Sequence, residues 1–140
     1  MKRLLIPFML FGFLLLSLAC ENDVVDKPSI TEFSIAHLKE GTPSPLQDGD
    51  QIFNGDTLLF TVDAEGDHVI INTPLEPIKL SDMVDLMPVE EEYTFLNDTL
   101  SNETIEGTFS VVATNVFNEE NIERTEKSIT LSVKDTTNAN

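Results

Sequence analysis

The chain has one cysteine, Cys20, and no tryptophan; nine of its aromatic residues are phenylalanine and one is tyrosine. A single thiol excludes an internal disulfide, so the fold must be held by packing. The missing tryptophan weighs against a sugar platform built on indole stacking. Basic side chains are scarce, with 8 Lys and Arg against 25 Asp and Glu and a formal net charge of −17. That balance excludes nucleic acid, whose phosphates are gripped through Lys and Arg, and it opposes adsorption to anionic lipid headgroups. Histidine occurs twice, at His37 and His68, and neither lies in a nucleophile or metal-ligand motif. The sequence therefore assigns no catalytic residue and no cofactor. A glycosidase-type carboxylate pair would need a cleft, and so short a chain has no insertion from which to build one.

What is present begins at the N-terminus. Lys2 and Arg3 precede an almost wholly apolar stretch, Leu4 to Leu18, interrupted by Pro7 and Gly12. The stretch falls short of the roughly 20 residues that span a bilayer. Small residues Ser17 and Ala19 stand before Cys20, so residues 1–19 read as an export signal that is removed from the mature chain. The run Leu16-Ser17-Leu18-Ala19-Cys20 resembles the signal box of Gram-negative bacterial lipoproteins, with Ser17 where the strict pattern has leucine. The resemblance implies lipidation of Cys20 and an outer-membrane location, periplasmic or surface-exposed. Acyl chains contribute about 0.8 kcal/mol per buried methylene, so two or more of them anchor firmly. The acidic start Glu21-Asn22-Asp23-Val24-Val25-Asp26 resembles the tether of such proteins, and the tether is read as residues 20–28.

Signal removal takes two of the 8 basic residues and none of the 25 acidic ones. The acids are scattered, with one tight run at Glu90-Glu91-Glu92, which fits solubility and self-repulsion on a crowded surface. The mature chain is long enough for one domain with its own core, read as residues 29–135, with a polar tail at 136–140.

Within that domain, short alternating runs separated by turn residues predict an all-β sandwich of about seven strands. Strands are expected at Ile30 to Leu38, Asp56 to Val62, His68 to Asn72, Glu92 to Leu96, Gly107 to Val116 and Ser128 to Val133. Leu58, Phe60 and Val62 share one face; so do Phe109, Val111 and Ala113, and again Ile129, Leu131 and Val133. Lys39 to Gln51 reads as a loop, Ala64 to Asp67 as a turn, Asn97 to Glu106 as a polar loop, and Asn118 to Asn121 as a hairpin turn. Ser81 to Met87 reads as one helical turn or an irregular edge strand between prolines. No internal repeat is evident.

Three segments resemble strands of PKD-like, immunoglobulin-like domains: Gly55-Asp56-Thr57-Leu58-Leu59-Phe60-Thr61-Val62, Gly107-Thr108-Phe109-Ser110-Val111-Val112-Ala113-Thr114-Asn115, and the closing run Lys127 to Asp135. The family's Trp and Gly-Asp-Gly motif is missing; Asp67-His68-Val69-Ile70-Ile71-Asn72 stands in its place. The resemblance implies an immunoglobulin-like sandwich and a non-catalytic binding or spacer module in the envelope, with a polysaccharide or an envelope protein as partner. The alternative is an accessory subunit of an outer-membrane complex or surface fibre.

Few residues stand out as sites. Asp63, Glu65 and Asp67 crowd oxygen ligands around Gly66, which suits Ca²⁺, although the downstream glutamate of an EF-hand loop is absent. Asp98-Thr99-Leu100 and Asp135-Thr136-Thr137 resemble O-glycosylation sites of exported proteins, with Thr99 and Thr136 in expected loops; Asp56-Thr57-Leu58 matches too, but at a strand start. Binding is expected at loops or at a sheet edge. The connection Asn72 to Pro88 carries apolar Leu75, Ile78, Leu80, Met83, Leu86 and Met87, which cap the core or face a partner.

Overall fold

The computed structural model describes residues 26–80, 85–97, 104–118 and 121–135. The signal segment, Cys20, Met83, Thr99 and Thr136 lie outside the described residues. Nine strands are present among the described residues: β1 Ser29–Lys39, β2 Thr42–Leu46, β3 Gln51–Phe53, β4 Thr57–Glu65, β5 His68–Asn72, β6 Ile78–Lys79, β7 Val89–Thr94, β8 Ile105–Asn118 and β9 Asn121–Lys134. They form two sheets, one ordered β2-β1-β4-β7 and the other β3-β9-β8-β5-β6, with β3 running parallel to β9. The fold is an all-β sandwich. No described helix is long and apolar enough to cross a membrane.

Period-two alternation builds the core. β4 turns Leu58, Phe60, Val62 and Ala64 inward, and β8 turns Phe109, Val111 and Ala113 inward, all at 2% exposure or less. Leu131 and Val133 of β9, Val69 and Ile71 of β5, Ile52 of β3 and Ile35 of β1 complete the filling. Phe60 is the hub: its ring centroid lies 6.5 Å from Phe33 in a stacked pair, 6.0 Å from Tyr93, and 5.8 Å from Phe109 across the sandwich. Every buried side-chain nitrogen and oxygen among the described residues has a hydrogen-bond partner.

The expected loop Lys39 to Gln51 is corrected. A two-residue turn at Glu40 and Gly41, both with positive φ, folds Thr42–Leu46 back onto β1 as a hairpin. Pro43 and Pro45 are tolerated because alternate residues direct their backbone nitrogens the same way, here toward the open edge, where no ladder donor is needed. The expected turn at Ala64 is also corrected: β4 continues to Glu65, because Ala64 pairs with Ile30 and fills the core end. The strand predicted at Glu92 begins instead at Val89, whose side chain packs against the core opposite Val62. Tyr93 and Phe95 do share the inner face; Phe95 lies just past the strand end, fully buried and hydrogen-bonded through its nitrogen to Asp56 O at 3.0 Å.

Two turns are built alike. In Gln47-Asp48-Gly49-Asp50, the fourth nitrogen donates to the first carbonyl at 3.0 Å, and the fourth carboxylate accepts from the first nitrogen at 2.8 Å. Phe53-Asn54-Gly55-Asp56 repeats both bonds at the same lengths. Gly49 and Gly55, at φ of 86° and 95°, supply the left-handed third position of a type II turn. The sequence thus holds one short repeat, Asp-Gly-Asp then Asn-Gly-Asp six residues later, at the scale of a turn and below that of a structural unit.

The strand directions give the sandwich two distinct ends. The chain enters near Pro28, whose carbonyl accepts from Thr125 Oγ1 at 2.7 Å. The opposite, distal end gathers the Asn54-Gly55 turn, the end of β7 and Lys134 of β9, joined by Asn54 N to Lys134 O at 2.8 Å and Gly55 N to Phe95 O at 2.7 Å.

Candidate functional site

The proposed calcium ligands are not brought together. Asp63 and Glu65 lie on β4, opposite Glu32 and Ser29, and face outward because Val62 and Ala64 face inward. Asp67 sits past the corner between the two sheets and is already committed: its Oδ2 accepts from Val116 N at 2.8 Å, while its own nitrogen donates to Asn115 Oδ1 at 2.9 Å. Its carboxylate thus serves as a clamp on β8. Among the described residues no three His, Cys, Asp or Glu side chains are placed to hold a metal ion.

The two histidines lie apart. His68 is exposed at the start of β5. His37, paired with Leu58 in the register, points its ring into the distal mouth, where Nε2 lies 3.3 Å from Asp56 Oδ1; the two side chains are 14% and 20% exposed. Ser44 stands opposite His37 across the hairpin as its ladder partner. The contact is a strut between β1 and the start of β4.

Asp56 is the organising residue of this end. Beside its contact with His37, its carboxylate accepts from Phe53 N at 2.8 Å, and its backbone holds Phe53 O and Phe95 N. Asn54 adds a two-point amide clamp, accepting from Asn97 N at 2.8 Å and donating to Asn97 O at 3.2 Å. Thr57, the weakest of the three glycosylation matches, has its hydroxyl 3.2 Å from that of Thr94. Asp56→Ala is expected to destabilise the fold by about 1–2 kcal/mol, because Phe53 N loses its acceptor and the His37 ring its neighbouring carboxylate in a half-buried setting. Urea unfolding measures the loss, and Asp56→Asn, which keeps an oxygen toward Phe53 N, is expected to recover part of it.

The long connection after Asn72 divides into two roles. Leu80 is buried, and Ile78 and Met87 pack on the core, so these three cap the sandwich. Leu75 and Leu86 are exposed. The segment starting at Thr73 is tied down: Thr73 Oγ1 accepts from Glu76 N at 3.0 Å, donates to Glu76 O at 2.7 Å, and lies 3.2 Å from the Tyr93 hydroxyl. The distal end therefore presents exposed Phe53, Leu75 and Leu96 on a hydrogen-bonded frame. Sequence reasoning missed Asn54 and Asn97 as partners. The signal that exposes the frame is the repeated turn: the first copy binds β9, and the second binds both the end of β9 and Phe95 just past β7.

Compared with known proteins, the chain matches no family model, no curated protein and no solved structure.

Proposed function

We propose that the protein is a lipid-anchored, non-catalytic envelope module with an immunoglobulin-like, PKD-like sandwich that presents its distal end for binding or serves as a spacer. The observation that carries this reading is the placement of a lone cysteine at the end of an export-type leader, a few residues before a sandwich that exposes Phe53, Leu75 and Leu96 at the far end from the tether, with Val116 and Ile122 exposed beside the tether itself. A chain anchored at Cys20 in an outer membrane would turn Phe53, Leu75 and Leu96 outward. The sheet orders support the immunoglobulin-like assignment: long antiparallel neighbours β8 and β9, and a short parallel β3 on the other side of β9.

Anchoring is tested by Cys20→Ser in a Gram-negative host. The wild type is expected in the membrane fraction with incorporated radiolabelled fatty acid; the variant is expected to lose the label. Label on both proteins refutes the lipoprotein reading. Binding is tested by retention on a panel of soluble and insoluble polysaccharides, with Leu75→Ser/Leu96→Ser as the comparison. Saturable retention that the double variant loses supports a capture surface, and no retention favours the spacer or accessory-subunit reading.

A further inference from the structure

Three of the sheet edges are guarded against strand addition. β2 carries Pro43 and Pro45, β6 has two residues, and β7 carries Glu90, Glu91 and Glu92, with Glu91 on the inner-facing register position beside Phe60. The edge of β9 is different. The segment leading into and through β3 covers it only from Thr130 onward: Asp48 Oδ1 accepts from Thr130 N at 2.7 Å, Gly49 N donates to Thr130 O at 2.8 Å, and Asp50 O accepts from Ser132 N at 2.9 Å. Even-numbered residues of β9 therefore aim their backbone groups outward. By the same parity Ile122, Arg124, Glu126 and Ser128 aim theirs at the open edge, and among the described residues no backbone group bonds them on that side. Among its described residues, 26–28, the tether bonds elsewhere. It binds through Pro28 O to Thr125 Oγ1 and through Asp26 O to Asn115 Nδ2, from register positions that share the inner face with Ala113.

The sequence of this edge is Ile122-Glu123-Arg124-Thr125-Glu126-Lys127-Ser128. Its charges are antisymmetric about Thr125: reversing the direction exchanges every acid for a base. The geometry points to a second copy of this chain as the occupant, pairing β9 with β9 in antiparallel fashion about a two-fold axis at Thr125. In that register Arg124 stands opposite the second copy's Glu126, Glu123 stands opposite its Lys127, and the edge-facing pairs exchange the ladder bonds. Arg124 Nη2 already lies 2.8 Å from Glu126 Oε2 within one chain. Pairing thus closes a ring of four alternating charges on the outer face. Lys127 spends one donor on Thr31 O at 3.0 Å and keeps the others. The arrangement is isologous and closes as a dimer, since each copy has one such edge among its described residues and the Asp48–Thr130 contact ends the pairing beyond Ser128.

The test is sedimentation equilibrium of the full chain in density-matched non-ionic detergent, with Arg124→Glu and the exchange Arg124→Glu/Glu126→Arg as variants. The wild type is expected to show a reversible monomer–dimer equilibrium. Arg124→Glu places like charges opposite each other twice per dimer and is expected to weaken association by about tenfold or more. The exchange restores every opposite-charge pair and is expected to recover wild-type association, which also shows that the charge at 124 is not needed for folding. A wild type that stays monomeric overturns the proposal, as does a dimer indifferent to Arg124→Glu, the result expected if two chains merely share a micelle. An exchange variant that remains dissociated overturns the register.

Discussion

Replacing Phe60 with alanine is expected to lower the stability of the fold by about 3–5 kcal/mol, the range for deleting a buried aromatic ring. The value belongs at the upper end here. Phe60 is fully buried, and its ring touches Phe33 and Tyr93 within its own sheet and Phe109 of the facing sheet. Phe109 in turn meets Phe95 edge-on at 6.3 Å, so the void would border most of the aromatic core. Rings already engaged with one another and with strand neighbours relax into a void only in part, and the residual cavity adds to the lost transfer energy. A domain of this size has about 5–15 kcal/mol in total, so the variant approaches unfolding at physiological temperature. Urea titration followed by far-UV circular dichroism is expected to show the midpoint falling by about 2 M with the slope unchanged. A fall below about 0.5 M would show that the two sheets are not joined through this residue.

Gly107→Ala is the second large effect, and its cause is the opposite: too much volume. A Cβ at residue 107 would lie 2.9 Å from Pro74 Cγ and 3.3 Å from Val133 Cγ2. Val133 is locked in the core, so the Pro74 ring must move, and with it the Thr73–Glu76 turn that carries Leu75. The expected loss is about 2–3 kcal/mol. Amide exchange at Glu76 is expected to rise by more than exchange in β4, because the strain is relieved in the loop before the core. If Glu76 and β4 exchange rise equally, the clash is being absorbed by the whole sandwich and not by this loop.

The strands with strong alternation are legible from the order of residues alone. Leu58, Phe60 and Val62, Phe109, Val111 and Ala113, and Leu131 and Val133 each occupy the inner face that period-two spacing assigns them. β2 is hidden by its prolines, because sequence alone does not show whether a missing donor faces a neighbour or an open edge. β7 is hidden in part by Glu90, Glu91 and Glu92, whose charges suit an edge and obscure a strand. The placement of Asp63, Glu65 and Asp67 is hidden for a related reason. Spacing of two places Asp63 and Glu65 on one outer face only if the chain stays extended, and that depends on pairing with Ser29 and Glu32, some thirty residues earlier. The contact of Asp56 with His37 likewise rests on a register no local motif encodes.

The placement of the chain's two ends has a mechanical consequence. Asp26 lies at one end of the sandwich and Asp135, after Lys134, at the other, while β1 and β9 both run from the first end toward the second. A load that drew the tether one way and the C-terminus the other would act along the strand axes. It would pull β1 downward against β4 and β9 upward against β8 and β3, so the cross-strand bonds would be sheared together instead of peeled open one after another. The same hydrogen bonds that set the fold would then share the force.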